Sequence, residues 1–390
     1  MRAAASLSFL SLVSFASAAA VSAELKLFND KTSKLKLLRG VFEGSIRTSW
    51  EQGTASQAVL EWDYPEYTVF GRSPFKSTGK LPTSVLHYAI SAVVRQSADG
   101  RLSQMINDGK DGASLDGASA APSVVLGMIT QPSRKEYWTT AAEKQLNLIL
   151  NNVPRTSTGA ISHRMDTKQY WADGVYMGFP FLAYYGVVTG NQSLVQEAYD
   201  QCRLYRDGLL IKDGPYGPAW GHLFSDDNQQ WYDRGLWLTG NAWAAKGIIQ
   251  VAATIEASQY AEDMSAQLTD LKDWIQEIFD GVFPALKSDG LLPDYIQPGG
   301  ADFSDAAASA ALASVAYRAA SLWPKQFDGN YLETAGKIRD AVLDGIDELG
   351  LMTPLVDPLK WDAIGVVSTE GQAFGLMLMA AWRDYLGIKL

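Results

Sequence analysis

The sequence predicts an all-α fold in which helical hairpins close into a ring, and three observations carry that expectation. Apolar residues recur at helical spacing along almost all of the 390 residues, while the alternation expected of strands is scarce. Twelve candidate helices are separated by Gly- and Pro-rich breaks, at 109–117, 213–218, 287–293 and 353–358 among others. No linker or low-complexity run interrupts them, so a single domain, residues 24–390, should hold all twelve. A solenoid of stacked helix pairs would repeat its motif letters every ~34–45 residues, and no such period is present.

Taken in order, residues 1–23 form a segment of their own. Arg2 supplies a positive start, Leu7 to Phe15 a short apolar core, and the last eight positions are rich in small residues. This is the pattern of a secretory signal peptide, cut after Ala23 or a few residues earlier, and it is too short and Ser-broken to span a bilayer. A secreted, extracellular protein is therefore expected. The helices follow at about 31–42, 47–62, 83–97, 120–129, 134–152, 173–188, 194–210, 238–256, 260–279, 305–322, 331–348 and 370–386. Capping-box spacing supports three of the starts: Ser133 with Glu136, Asn330 with Glu333, and Thr369 with Gln372.

Removing the leader takes the 33 basic residues to 32 against 43 acidic, a net charge of −11. That balance argues against nucleic acid and against an anionic membrane as partners. The single cysteine, Cys202, can form no disulfide within the chain, and a domain of this size needs none. A sequon, Asn191-Gln192-Ser193, lies in a polar turn and could carry a glycan in a eukaryotic host. Nothing demands an oligomer, and a monomer is expected.

The most informative stretch runs from His163 to Gly186, HRMDTKQYWADGVYMGFPFLAYYG. It sets Asp173 two residues after Trp171 and three before Tyr176. A carboxyl held among aromatic rings is poorly solvated when ionised, so its pKa rises toward the working pH. That is how a carboxyl group becomes a proton donor in sugar chemistry. The competing reading makes Asp173 a helix N-terminus stabilised by the dipole, with the aromatics filling core. A second stretch, Gly214 to Lys246, contains His222 and four tryptophans, Trp220, Trp231, Trp237 and Trp243. With Trp171, five of the twelve tryptophans fall within 73 residues, a clustering that suits either a carbohydrate cleft or an aromatic core between hairpins.

The letters HRMD, then W-x-D-x-x-Y-M-x-x-P-F-L, resemble the signature of glycoside hydrolase family 105, the unsaturated rhamnogalacturonyl hydrolases. Relatives in family 88 act on unsaturated glucuronides. The resemblance implies an (α/α)6 barrel of six hairpins, which twelve helices fit, and makes Asp173 the general acid and base. It further implies that Trp171, Trp237 and Trp243 hold sugar faces, and that His163, Tyr176, His222 and Asn241 supply hydrogen bonds. The run Trp237-Leu238-Thr239-Gly240-Asn241-Ala242-Trp243 matches the family's W-x-R-G-N-G-W except at Thr239 and Ala242. Thr239 stands where the family has a substrate-binding Arg; it offers neither that charge nor that planar geometry. Arg234, five residues upstream, is a candidate replacement.

Asp116 is the candidate for the family's second Asp, with Asp111 and Asp108 as alternatives; acidic residues at such a helix entrance are also commonly caps. Asp305 occupies the acidic place of the family's E-T-S-G-T-A helix start, and Thr369 to Phe374 resembles its closing helix, both shaping the rim. Neither H-E-x-x-H, a P-loop, G-x-S-x-G nor G-x-G-x-x-G occurs, and His87, in an apolar helix, reads as structural. The implied activity needs no metal or organic cofactor. It is the release of a 4,5-unsaturated uronic acid from the non-reducing end of lyase-generated oligosaccharides, of pectic or rhamnogalacturonan origin. Two alternatives stay open: a two-carboxylate glycosidase on the same barrel, pairing Asp173 with Asp116 or Asp305, and a catalytically silent sugar-binding protein.

Overall fold

The computed structural model describes residues 18–47, 49–103 and 112–388. Most of the expected leader, and the alternatives Asp108 and Asp111, lie outside the described residues. Thirteen α-helices are present among the described residues. They are α1 (Ala18–Ser45), α2 (Trp50–Asp63), α3 (Thr83–Val94), α4 (Ala121–Thr130), α5 (Lys135–Asn147), α6 (Gly174–Met177) and α7 (Phe179–Thr189). The rest are α8 (Gln192–Leu209), α9 (Leu238–Glu256), α10 (Ser265–Val282), α11 (Ala306–Leu322), α12 (Asn330–Asp344) and α13 (Thr369–Tyr385). The twelve expected helices are all there, the sixth of them in two pieces, α6 and α7. Pro180, at the start of α7, has no N–H to give the carbonyl of Tyr176, so the helix breaks and restarts at Gly178.

The helices alternate between two layers. α2, α4, α7, α9, α11 and α13 pack side by side in that order, and α13 returns to α2, which closes the ring. These inner helices are buried nearly all round: every residue of α9 but the last is buried, as is the whole of Phe179–Val187 in α7. The outer helices α1, α3, α5, α8, α10 and α12 each lie on an inner neighbour and are amphipathic. α8 buries Leu194, Val195, Ala198, Cys202, Tyr205 and Leu209, one face at a spacing of three and four. Six hairpins in two concentric layers make an (α/α)6 barrel. Inner helices approach so closely that a Cβ on Gly247 of α9 would lie 2.3 Å from the carbonyl oxygen of Val175 in α6.

Three predicted caps differ. Pro132–Arg134 forms a 3-10 turn that takes in Ser133, so α5 starts at Lys135 without a side-chain cap. Ser368, one residue before the predicted Thr369, caps α13 by accepting the Gly371 N–H at 3.0 Å. Gly329 precedes α12 and leaves Asn330 inside the helix. The strands are short and lie in the loops that enter inner helices. β1 (Gln169–Trp171), β4 (Leu223–Ser225) and β5 (Gln230–Asp233) form an antiparallel sheet, with β2 (Leu210–Ile211) paired to β3 (Ala219–Trp220). β6 (Leu292–Pro293) pairs with β7 (Ser304–Asp305), and β8 (Val356–Asp357) with β9 (Lys360–Ile364). No helix among the described residues is long and apolar enough to cross a membrane.

Candidate active site

Hydrogen bonds and charges tie together the N-terminal ends of the inner helices, and the candidate residues gather there. The Trp50 Nε1–H at the start of α2 donates to Glu370 Oε2 of α13 at 2.6 Å. Thr239 of α9 donates to Asp305 Oδ2, one residue before α11, at 3.0 Å. Asp116 opens the 3-10 turn Asp116–Ala120 that leads into α4.

Asp173 immediately precedes α6, yet its side chain caps no N–H. Its Oδ2 is buried and accepts no hydrogen bond among the described residues, while 16% of the side chain reaches solvent. Asp173 thus stands at a helix N-terminus, as the competing reading has it, with a desolvated carboxyl that bonds none of the helix N–H groups. Burial raises its pKa; His222 and His163 pull it partly back, and Asp116 adds to the rise. His222, 1% exposed, brings Nε2 to 3.8 Å from Asp173 Oδ2. The opposite nitrogen, Nδ1, lies 2.9 Å from Asp233 Oδ2. Asp233 also accepts the Tyr295 hydroxyl at 2.6 Å and the Gly235 N–H at 2.7 Å. Burial works to raise Asp233, but the bonds from His222 and Tyr295 outweigh it and hold the carboxyl below its ordinary range.

On the other side, His163 Nε2 stands 3.3 Å from Asp116 Oδ1. The His163 ring stacks on Trp171 at 5.1 Å, and Trp171 meets His222 and Trp361 edge-on. Trp237 packs on His222 at 4.4 Å and donates its Nε1–H to Asp294 Oδ1 at 3.0 Å. Beside these rings opens a cavity of about 380 Å³, walled by Trp171, Trp361, Tyr232, Gln169 and Asp233, with Arg164 at its edge. A desolvated carboxyl with a raised pKa, close to two imidazoles that themselves pack on indoles, can move a proton onto and off a sugar.

The structure thus brings together Asp173, Asp116, His163, His222, Trp171 and Trp237. It separates Tyr176, Asn241 and Trp243 from them. Asn241 is fully buried, donating to the carbonyls of Trp220 and Trp237 and accepting the Trp220 N–H, so its amide holds two loop segments together. Trp243, 1% exposed, packs between Tyr176 and Phe374 and leaves no ring face open to a sugar. Tyr176 is 4% exposed in the same cluster. All three are barrel interior, taken up by packing and by bonds between loop segments. Arg234 is turned away as well, more than half exposed beside Asp213. His87 is exposed on α3.

Four functional candidates escaped the sequence reading. Asp233 and Tyr295 are 62 residues apart and meet only through the fold. Trp361, on the β8–β9 hairpin, is 38% exposed and lies 5.1 Å from His222. Glu370, buried behind Trp50, is raised to about 8 by burial, against the Trp50 hydrogen bond and helped by Glu51 and Asp173. The one available signal was an aromatic in a Pro-rich turn, at Trp361.

A helical ring of six hairpins with a desolvated carboxyl and indoles at one end defines a class, the barrel glycoside hydrolases. The chain belongs to Glycosyl Hydrolase Family 88, whose family model matches residues 77–353. Solved structures share the fold at low identity. A possible member of family 105 from Salmonella enterica serovar Paratyphi A superposes with a TM-score of 0.70 at 17% identity, over 92% of this chain and 95% of that one. A family 105 glycoside hydrolase of C. acetobutylicum gives 0.68 at 15%, over 90% and 99%. An unsaturated glucuronyl hydrolase specific for heparin gives 0.61 at 12%, over 93% and 98%. No curated protein matches the chain by sequence.

Proposed function

We propose that this glycoside hydrolase releases a 4,5-unsaturated uronic acid from the non-reducing end of lyase-generated oligosaccharides, of pectic or rhamnogalacturonan type. The observation that carries the reading is Asp173, whose Oδ2 is buried, raised by desolvation and without a hydrogen-bond partner among the described residues. The unsaturated ring is a vinyl ether. Asp173 in its neutral form gives its proton to C4, and positive charge develops at C5, shared with the ring oxygen. Water then bonds to C5 while the Asp173 carboxylate takes the water's proton, restoring the acid. The resulting hemiketal opens at the ring oxygen, and the hemiacetal left at C1 expels the next sugar. One group does both proton transfers, so a raised pKa serves each.

Trp171 and Trp361 would offer ring faces for the sugars, and Arg164, which lines the same cavity, would meet the uronate carboxylate. Thr239 is committed to Asp305 and takes no part. With its leader at residues 1–23, the enzyme would act outside the cell.

Hydrating the double bond destroys the ultraviolet absorbance of the conjugated uronate, whereas ordinary hydrolysis leaves it. A panel of lyase-digested polysaccharides should therefore lose absorbance with the parent enzyme. Asp173→Asn should lower kcat by roughly 10²–10⁴-fold without unfolding the protein. Sugar release with the absorbance retained would point instead to a two-carboxylate glycosidase using Asp173 and Asp116.

A further inference from the structure

His222 faces two carboxyl groups with its two nitrogens, and they differ. Asp233 lies at hydrogen-bond distance from Nδ1, 2.9 Å, and is itself fixed by Tyr295 and the Gly235 N–H. Asp173 Oδ2 lies 3.8 Å from Nε2, too far for a direct bond. An ionised Asp233 accepts but cannot donate, so Nδ1 must carry the proton. In the neutral ring the lone pair is then on Nε2 and turned toward Asp173. Nε2 thus faces the Asp173 carboxyl, 16% of whose side chain reaches solvent, across a gap that leaves it free to bind water.

We propose that Asp233 is a positioning residue for the hydrolysis, fixing the tautomer and ring plane of His222 so that Nε2 and the Asp173 carboxylate together orient the attacking water. The water donates one hydrogen to Nε2 and the other to the carboxylate, which leaves its lone pairs directed at the sugar. As its oxygen bonds to C5, the hydrogen on the carboxylate passes to Asp173 and the one on Nε2 stays with the oxygen as the new hydroxyl. His222 thus exchanges no proton in the step; it aims the nucleophile. Trp237 at 4.4 Å and Trp361 at 5.1 Å confine the imidazole on its two sides. Tyr295 donates to the same Asp233 oxygen that faces Nδ1, and Trp237 is anchored in turn by Asp294, so the groups around the ring are themselves held. This rests on Asp173 being the acid–base group of the proposed function.

The test joins a measurement on the resting enzyme to one in turnover. Nitrogen-15 NMR of the histidine rings, with His222→Gln for assignment, should show His222 as the Nδ1–H tautomer in the parent. Asp233→Asn offers an amide in place of the acceptor and should shift the ring toward Nε2–H. It should lower kcat by ~10–100-fold with KM changed less than about twofold. Tyr295→Phe, which keeps the carboxylate, should retain the tautomer and lose only ~2–5-fold in kcat. A purely structural role would lower the melting temperature and leave the tautomer alone. A parent His222 in the Nε2–H form overturns the inference even if Asp233→Asn does not fold. So does a folded Asp233→Asn with unchanged kcat. A parent that shows the Nδ1–H form but consumes no unsaturated oligosaccharide sinks the proposed function, and the inference with it; the first two results sink the inference alone.

Discussion

Glu370 and Arg164 show how individual side chains divide between holding the site and reading the substrate. The Glu370 carboxyl, 4% exposed, is lifted from an ordinary 4.5 to about 8, chiefly by burial. Its neutral form contributes stability that is complete below pH 4.5 and is lost as pH rises through 8. Asp294, also raised to about 8, and Asp173 and Asp305, raised by burial, push the same way. The melting temperature should therefore fall between about pH 4.5 and 8. Glu370→Gln, which can still accept from Trp50, should make that decline shallower and gain up to a few kcal/mol at pH 8. An unchanged slope would show that Glu370 is ionised in the fold. For Arg164, bonded to the half-exposed Asp166 at 2.9 Å, the expected contribution is recognition. Arg164→Gln should raise KM for acidic substrates by ~10-fold, with kcat within a factor of about three, as read from initial rates. Asp173 and His163 were legible as candidates because they share one short motif, and His222 because it falls in the second, tryptophan-rich stretch. Asp233 was not, since its role depends on a histidine eleven residues earlier and a tyrosine 62 residues later.

At the scale of the element, helical periodicity was enough to find the twelve helices, and α9 matches its predicted bounds. Where the reading slipped, local chemistry decided: a proline-led turn before α5, a serine one place early at α13, and Pro180 dividing the sixth helix. Asn241 and Trp243 were expected in the site because they match the family-like run from Trp237 to Trp243, and a motif does not say which of its residues turn into the barrel wall. The break at Gly178 has a consequence for the site, because it leaves α6 as a single turn whose first residues follow Asp173. Gly247 of α9 lets that turn approach, its missing Cβ matching the carbonyl of Val175. A methyl group there meets backbone, which cannot rotate aside. Gly247→Ala should cost about 1–3 kcal/mol of stability and, by displacing α6, reduce kcat by more than the loss of folded protein explains. Thermal melting beside an active-site titration would separate the two; activity in proportion to folded protein would show that α6 does not carry Asp173 with it.

For the whole molecule the decisive step is closure, since a ring of inner helices is held by every seam and the last is made by segments from opposite ends of the chain. No local pattern in the sequence marks that seam. There Arg318 of α11, 4% exposed, donates to Glu61 of α2 at 3.0 Å and to Asp384 of α13 at 2.6 Å. Arg383 of α13 adds bonds to the carbonyls of Glu61 and Trp62. These charges lie in the barrel wall, where a lone carboxylate is poorly tolerated. Arg318→Ala should therefore lose roughly 3–5 kcal/mol, because Glu61 is left buried without its main cation. Lys246, whose pKa is lowered to about 8 by burial, feels Glu61 as a raising charge and should become more basic in the variant, recovering part of the loss. A paired change, Glu61→Gln with Arg318→Met, removes both charges and should return most of the stability. Chemical denaturation of the three proteins decides the matter. If Arg318→Ala unfolds in a single transition at lower denaturant and the double variant returns close to the parent, the seam is an electrostatic latch on a cooperative ring. If the single variant instead shows a separate early transition, α13 and α1 open independently, and the site at their end of the barrel is built on a ring that need not be closed to stand.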